Sequence, residues 1–299
     1  MLEVSVIICS YNRSALLGKC LDQVVLNVKN HSEKLEVIVV DNASTDQTKE
    51  MVQSKIGKLP FELIYVSEPR PGLSNARNKG AKEARAPWLF YLDDDGLVVD
   101  STFDQLFDTI HHYDFDFFGG SYQAYHAALP PDWLPKNYGN KKMYATTSGP
   151  IGQDNISGGI MVIKKSVLLD NGGFKSNLGM RSQAIGYGEE AELQHRLQKA
   201  GYNLGINPQF LMLHLVGEHK YHVGWHLRAA FAQGRDGAQG SHNALRSLLW
   251  VMPVTLIRCT KRWATDRSYG FDHLIYDTFV NPMVIVGYLW SKINPRHGG

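Results

Sequence analysis

The chain has 299 residues, 43% hydrophobic and 20% charged, which is ordinary globular material for one large domain or two fused lobes. Lys and Arg number 31 against 29 acidic residues, a balance that gives no reason to expect wholesale nucleic-acid binding. Three scattered cysteines, Cys9, Cys20 and Cys259, make neither a disulfide framework nor a zinc spacing and favour a reducing compartment.

The N-terminal run MLEVSVIIC enters a strand-like pattern with no basic leader or cleavage site, so a cytoplasmic location is expected. In chain order, VSVIICS, LEVIVVD, FELIYVS and WLFYLDD are β-branched and aromatic runs with almost no polar interior, which suits strands buried on both faces of a parallel sheet. Between them SALLGKCLDQVVLNVKN, STDQTKEMVQSKI and GLSNARNKGAKEA read as helices, with Ser44 as the N-cap of the second. Strand–helix alternation predicts an α/β sheet flanked by helices, with ligands at the carboxyl ends of the strands. Each run ends there in polar residues: Ser10-Tyr11-Asn12, Asp41-Asn42, Ser67-Glu68 and Asp93-Asp94-Asp95. After Asp100 come a strand in DFDFFGGSYQAY, a Pro- and Trp-rich loop LPPDWLPKNYG, and a strand and helix opened by Gly158-Gly159. A helix in GYGEEAELQHRLQKAGY and a strand INPQFLMLHL ending near His214 follow. Residues 216–299 read as a C-terminal α-helical extension.

Three adjacent carboxylates at the end of a buried strand repel one another unless something positive sits there. They suit a hard divalent cation, Mg²⁺ or Mn²⁺; the plainer alternative is a solvated Asp-rich turn. Asp114 and Asp116 also spell D-x-D, but within a strand pattern that turns them to solvent, so they are a decoy. Asp41 ends the second strand ahead of a polar loop, where it could equally cap a turn. Arg77, near the start of a helix, can reach a phosphate or ribose, or can be a plain surface charge. Asn42–Ser44 matches a glycosylation sequon, discounted for want of a secretory signal.

Taken together, SVIICSYNR, VVDNASTD, GLSNARNKG, YLDDDG, SGGIMVIKK, GGF (Gly172–Phe174) and GEEAELQHRLQKAGY resemble, in order and spacing, the family 2 glycosyltransferases of the GT-A fold. The resemblance covers residues 4–215; the tail carries little of it. It implies a GT-A, Rossmann-like mixed sheet over residues 1–215, with residues 1–100 the nucleotide-binding half and 101–215 the acceptor half. It implies an inverting, metal-dependent transferase that moves a sugar from a nucleoside diphosphate sugar, a UDP-sugar, to a glycan or lipid-linked hydroxyl. Tyr11 and Asn12 would then border the base, Asp41 would accept a hydrogen bond from it, and Arg77 would touch ribose or phosphates. Asp93 and Asp95 would be the outer members of the D-x-D motif, with Asp94 between them on the donor. Asp95 would bind Mn²⁺ or Mg²⁺, and His214 would join the metal shell.

The acceptor hydroxyl must lose a proton, which needs a positioned carboxylate. The family's usual Glu-Asp is here Glu189-Glu190, which puts Glu190 in the place of the base with Glu189 beside it; the bland alternative is acidic residues favoured at a helix N-terminus. The loop with Trp133 suits sugar stacking or a packed anchor. His219, His222 and His226, with Arg228 and Arg235, read as a polar surface facing the diphosphate or a lipid-linked acceptor. No run reaches the ~18 apolar residues of a membrane span. There are two shorter patches, Ser247–Ile257 and Phe279–Trp290; the first is followed by Arg258, Lys261, Arg262 and Arg267, which suggests peripheral contact with anionic lipid at the inner face of the membrane, or else two core helices. Two other classes compete with a glycosyltransferase. A sugar-phosphate nucleotidyltransferase would need a Gly-rich basic loop where CSYNRSALLG stands; an intact Asp93, Asp95 and Glu190 argues against a catalytically silent binding protein of the same fold, while Glu190 in place of Asp leaves that reading open.

Overall fold

A computed structural model describes residues 1–180, 185–236 and 250–294. They form two compact units. The larger comprises Met1–Tyr125, Gly139–Ser182 and Glu189–Leu215, the smaller His126–Tyr138, Gln183–Gly188 and Val216–Gly299.

The larger unit is a mixed sheet between helices. Its first part runs β1 (Val4–Ser10), α1 (Ser14–Asn27), β2 (Leu35–Asp41), α2 (Thr48–Lys55), β3 (Glu62–Ser67), α3 (Leu73–Glu83) and β4 (Trp88–Leu92). These four strands are parallel in the order β3-β2-β1-β4, as strands joined by helical crossovers must be. The rest comprises β5 (Gly96–Val98), α4 (Thr102–His112), β6 (Phe117–His126), β7 (Gly149–Pro150), β8 (Ile160–Lys164), α5 (Lys165–Asp170), α6 (Glu189–Lys199) and β9 (Leu204–Val216). The sheet continues β4-β8-β6-β9-β5, with β7 on β9; β8 is antiparallel to β4, and β5 to β9. This is the expected mixed α/β fold with helices on both faces.

The lack of polar residues inside the runs now has its reason. Along β1, Val4, Val6 and Ile8 pack into one core and Ile7 into the other; Val37 and Val39 oppose Ile38 and Val40 in the same way on β2. Both faces are covered, so every side chain contributes burial, on the order of 1.5–3 kcal/mol for each large aliphatic one. The pairing Ser10↔Asp41↔Ser67 brings three strand ends into line, and their polar tails collect along one edge.

The second helix departs from expectation. It starts at Thr48, and Ser44 does not cap it: the Ser44 hydroxyl accepts from the Asn12 amide (3.0 Å), while the Asp46 carboxylate accepts the amides of Thr48 and Ser14 (each 3.0 Å). Residues 44–47 are therefore spent tying two loops together. The short strands β5 and β7 had no signal of their own.

In the smaller unit, α7 (Val223–Asp236), α8 (Met252–Thr265) and α9 (Phe271–Ile293) give the expected helical character. Helices α7 and α9 meet backbone to backbone: a Cβ at Gly234 would overlap the Val284 carbonyl, and one at Gly287 the Phe231 carbonyl. Of the loop's two readings, the packed anchor holds: Trp133 is buried against His226 and Tyr276, at ring separations of 5.2 and 5.4 Å. His226 is correspondingly no surface group. It is 4% exposed, ringed by Trp133, Tyr138, Trp225 and Tyr276, and bonded through Nε2 to the Lys220 carbonyl (2.7 Å). Among the described residues no helix is long and apolar enough to cross a membrane. Residues 247–249 of the first apolar patch lie outside the described residues; the second patch lies within α9.

Candidate active site

The three aspartates after β4 do not point one way. Asp94 turns inward and is 4% exposed; its carboxylate accepts from the Ser10 hydroxyl (2.7 Å) and from Arg13 Nη1 (2.8 Å). Burial pushes the Asp94 carboxyl up to about 6, against the pull of Arg13. Asp93 and Asp95 turn the other way. Pairing of Gly96 with His214 across β5 and β9 sets the imidazole beside them. One ligand atom each from Asp93, Asp95 and His214 lies within 4.8 Å of the others, and His214 Nε2 stands 3.7 Å from Asp95 Oδ1. Two carboxylates and an imidazole converging on one point suit a divalent cation with an appetite for oxygen and tolerance for nitrogen, Mn²⁺ more than Ca²⁺. The anions are thus served from two sides: Arg13 holds Asp94 and reaches Asp95 (3.2 Å), while the outer pair keeps room for a cation. Asp94 is not part of the metal-competent cluster. Nor is the decoy pair: Asp116 bonds Lys164 (2.9 Å) and the Asn203 amide (2.9 Å), and Asp114 is almost wholly exposed.

Arg77 is not a surface charge. It is 3% exposed, with Nη1 on Glu189 Oε1 (2.9 Å), Nη2 on the Gly158 carbonyl (3.0 Å), and Nη2 3.7 Å from Asp93 Oδ1. Its guanidinium lies 5.5 Å from the ring centre of Phe174. The motif glycines make this possible. A Cβ at Gly158 would come within 2.6 Å of Arg77 Nη2, and one at Gly159 would overlap the Asp93 carboxylate. Neighbouring Asn78 fixes the GGF turn by accepting the Phe174 amide (2.8 Å) and donating to its carbonyl (2.7 Å).

Glu189 and Glu190 open α6. Glu189 is 5% exposed; its Oε1 takes Arg77, whereas its Oε2 is buried and finds no hydrogen-bond partner among the described residues. The same holds of Glu190 Oε2. Burial, aided by the repulsion of Glu189, lifts the Glu190 carboxyl to about 7. A carboxylate with an open lone pair and an affinity for protons near neutrality is equipped to accept one from a hydroxyl.

Asp41, 5% exposed, accepts from the Ser44 amide (2.9 Å) and the Tyr65 hydroxyl (2.7 Å). Asn12, in the left-handed region at φ 53°, receives the Thr45 amide on its Oδ1 (2.6 Å) and so joins the loop after β1 to the loop after β2. Tyr11 beside it is half-buried.

Sequence reasoning missed two residues. Arg13 lies within SYNR, and three aspartates in a row were the signal that a cation should be sought upstream. Tyr122 packs its ring 5.4 Å from that of His214, and the charges of Asp93 and Glu190 both act on its hydroxyl. Only the strand pairing could have revealed it.

A mixed sheet with a carboxylate–imidazole cluster at the end of β4, and two buried carboxylates opening α6, is the arrangement of a GT-A fold. The glycosyl transferase family 2 model matches residues 5–170, more than half of the chain, and the chain belongs to that family. This sets aside the nucleotidyltransferase alternative. The chain is 23% identical over 234 residues to the succinoglycan biosynthesis protein ExoM of Rhizobium meliloti, covering 78% of this chain and 74% of that one. It is 22% identical over 312 residues to a glucosyl-dolichyl phosphate glucuronosyltransferase of Haloferax volcanii, covering 99% and 98%. Other relatives are much longer, the aligned stretch being 17 to 21% of their length. The mannosyltransferase PcManGT of Pyrobaculum calidifontis, solved with GDP-Man and Mn²⁺, shares the fold at a TM-score of 0.66 and 17% identity, covering 98% of this chain and 88% of that one.

Arg77→Met is expected to cost about 3–5 kcal/mol of folding stability, because it leaves Glu189 buried without its cation. Chemical denaturation at neutral pH measures it; a loss below about 1 kcal/mol would mean that the pair behaves as an exposed one.

Proposed function

We propose that the chain transfers a sugar from a nucleoside diphosphate sugar, a UDP-sugar, to a hydroxyl of a glycan or lipid-linked acceptor, with inversion at the anomeric carbon. The observation that carries this reading is the convergence of Asp93, Asp95 and His214 at the end of β4. Residues 1–100 bind the donor in this account, residues 101–215 the acceptor, and residues 216–299 form a helical extension. Asp41 accepts an N–H from the edge of the base, and Tyr11 and Asn12 border it. Asp93, Asp95 and His214 would hold Mn²⁺ or Mg²⁺; when bound, such an ion neutralises the charge that develops on a departing diphosphate. Arg77 fixes Asp93 and Glu189 in register, and Asp94 keeps the turn in shape through Ser10 and Arg13. Glu190 takes the proton of the acceptor hydroxyl as its oxygen bonds to the anomeric carbon and the bond to the diphosphate breaks. Glu189 orients the same end of α6. Two relatives, a succinoglycan biosynthesis protein and a glucosyl-dolichyl phosphate glucuronosyltransferase, support a glycan or lipid-linked acceptor.

A lipid-linked acceptor calls for contact with a membrane surface, and α8 suits it. Trp250, Val254 and Ile257 form one exposed stripe, at 71, 65 and 70% exposure, with Arg258, Lys261 and Arg262 on the next turns. Apolar side chains below a collar of basic ones match an anionic bilayer. The full chain is expected to float with anionic vesicles at low salt and not with neutral ones, and Val254→Asp with Ile257→Asp to abolish flotation. A wild-type chain that stays unbound at low salt would end this part of the account.

The base is tested by turnover. Glu190→Gln should retain Mn²⁺-dependent UDP binding and lose about a hundred-fold or more of kcat. Because the base works only when deprotonated and its carboxyl is lifted to about 7, wild-type kcat/KM should rise with pH through that value and fall away below it. Nucleoside diphosphate release, measured across UDP- and GDP-sugars, gives both readings. Wild-type turnover in Glu190→Gln would remove Glu190 from the chemistry.

A further inference from the structure

Asp95 is held through its backbone and through one oxygen of its side chain. Its carbonyl accepts the Leu215 amide (3.0 Å), which pins its backbone beside His214 on β9. Its two carboxylate oxygens face different partners: Oδ2 accepts from Arg13 Nη1 (3.2 Å), while Oδ1 lies 3.7 Å from His214 Nε2. Arg13 is anchored in turn. The same Nη1 donates to Asp94 Oδ1 (2.8 Å), and Asp94 Oδ2 accepts from the Ser10 hydroxyl (2.7 Å). The Arg13 carbonyl accepts the Leu17 amide (2.9 Å) at the start of α1. All of these groups belong to the larger unit.

We propose that Arg13 is a positioning residue that selects the metal: by holding Oδ2 of Asp95 it leaves Oδ1 alone for the cation, and so favours Mn²⁺ or Mg²⁺ over Ca²⁺. The proposal rests on the reading of Asp93, Asp95 and His214 as the residues that would hold that ion.

A carboxylate can take a cation through one oxygen or through both. With the Asp95 backbone fixed by Leu215, only rotation of the side chain could turn both oxygens to an ion, and that rotation breaks the bond to Arg13. The bond is charge-assisted, and its donor is tied to Asp94, which is 4% exposed. Mg²⁺ and Mn²⁺ are satisfied by about six ligands in a tight octahedron, whereas Ca²⁺ takes about six to eight oxygens at longer range and often binds a carboxylate by both. One atom each from two carboxylates and an imidazole suits the smaller ions and leaves Ca²⁺ short of oxygen. The positive charge of Arg13 does not account for such a preference, because it repels every dication alike. What discriminates is the oxygen it holds.

The test titrates Mn²⁺ or Ca²⁺ into the full chain with saturating UDP, by calorimetry, for the wild type, Arg13→Gln and the conservative Arg13→Lys. The ratio of Mn²⁺ to Ca²⁺ affinity should fall about ten-fold or more in Arg13→Gln, the scale on which the partners of metal ligands act. Arg13→Lys should keep more of the wild-type ratio. A purely electrostatic role would change both affinities by the same factor, so an unaltered ratio in Arg13→Gln overturns the proposal. A second measurement does not depend on any variant folding. Crystals of the wild type with UDP and Mn²⁺ should show Asp95 on the ion through Oδ1 and on Arg13 through Oδ2. Both oxygens on the ion, or Arg13 turned away from Asp95, would overturn it. A wild-type chain that binds no Mn²⁺ in the presence of UDP removes the metal reading itself, and this proposal with it; an unaltered ratio removes this proposal alone.

Discussion

A single buried guanidinium organises the site. Arg77 is buried, so its charge must be met by protein, and the groups that meet it are carboxylates of the candidate site. Glu189 takes one nitrogen, the Gly158 carbonyl another, and Asp93 stands within 3.7 Å. The carboxylate at the end of β4 and the start of α6 are thereby held in one register, although 96 residues separate Asp93 from Glu189. Remove that charge and buried Glu189 loses its cation while Asp93 loses a nearby one.

The glycines follow from the same constraint. Gly158 and Gly159 open β8 with no side chain because Arg77 and Asp93 already occupy that space; Gly179 lies as close to Glu189, where a Cβ would be 2.9 Å from Oε2. The site is built by close approach of backbone to charge. A methyl group would press on the Arg77 guanidinium at Gly158, on the Asp93 carboxylate at Gly159 and on the Glu189 carboxylate at Gly179.

Much of the fold could be read in advance because both faces of the sheet are covered: VSVIICS and LEVIVVD have no polar interior, and burial on two sides leaves them no other place. The candidate site was legible as a set of residue types at strand ends. Their directions were not. Nothing in DDD says that its middle member turns inward to Ser10 and Arg13, more than 80 positions upstream, while the outer two meet His214. Ser44 passed for a helix cap because its type and position suit one, yet its hydroxyl is engaged by Asn12. His226 read as part of a polar surface and Trp133 as either a stacking group or a packed anchor; each is buried against the other. Local pattern speaks for burial and periodicity; it is silent on which distant partner claims a polar atom.

The most direct test of the central claim is where a metal ion sits. Crystals grown with Mn²⁺ and UDP, measured at the manganese absorption edge, should show one anomalous peak in the active site, bound by Asp93, Asp95 and His214, with Asp94 still on Ser10 and Arg13. A peak ligated by Asp94, or by Asp114 and Asp116 with the β4 end empty, would contradict the account.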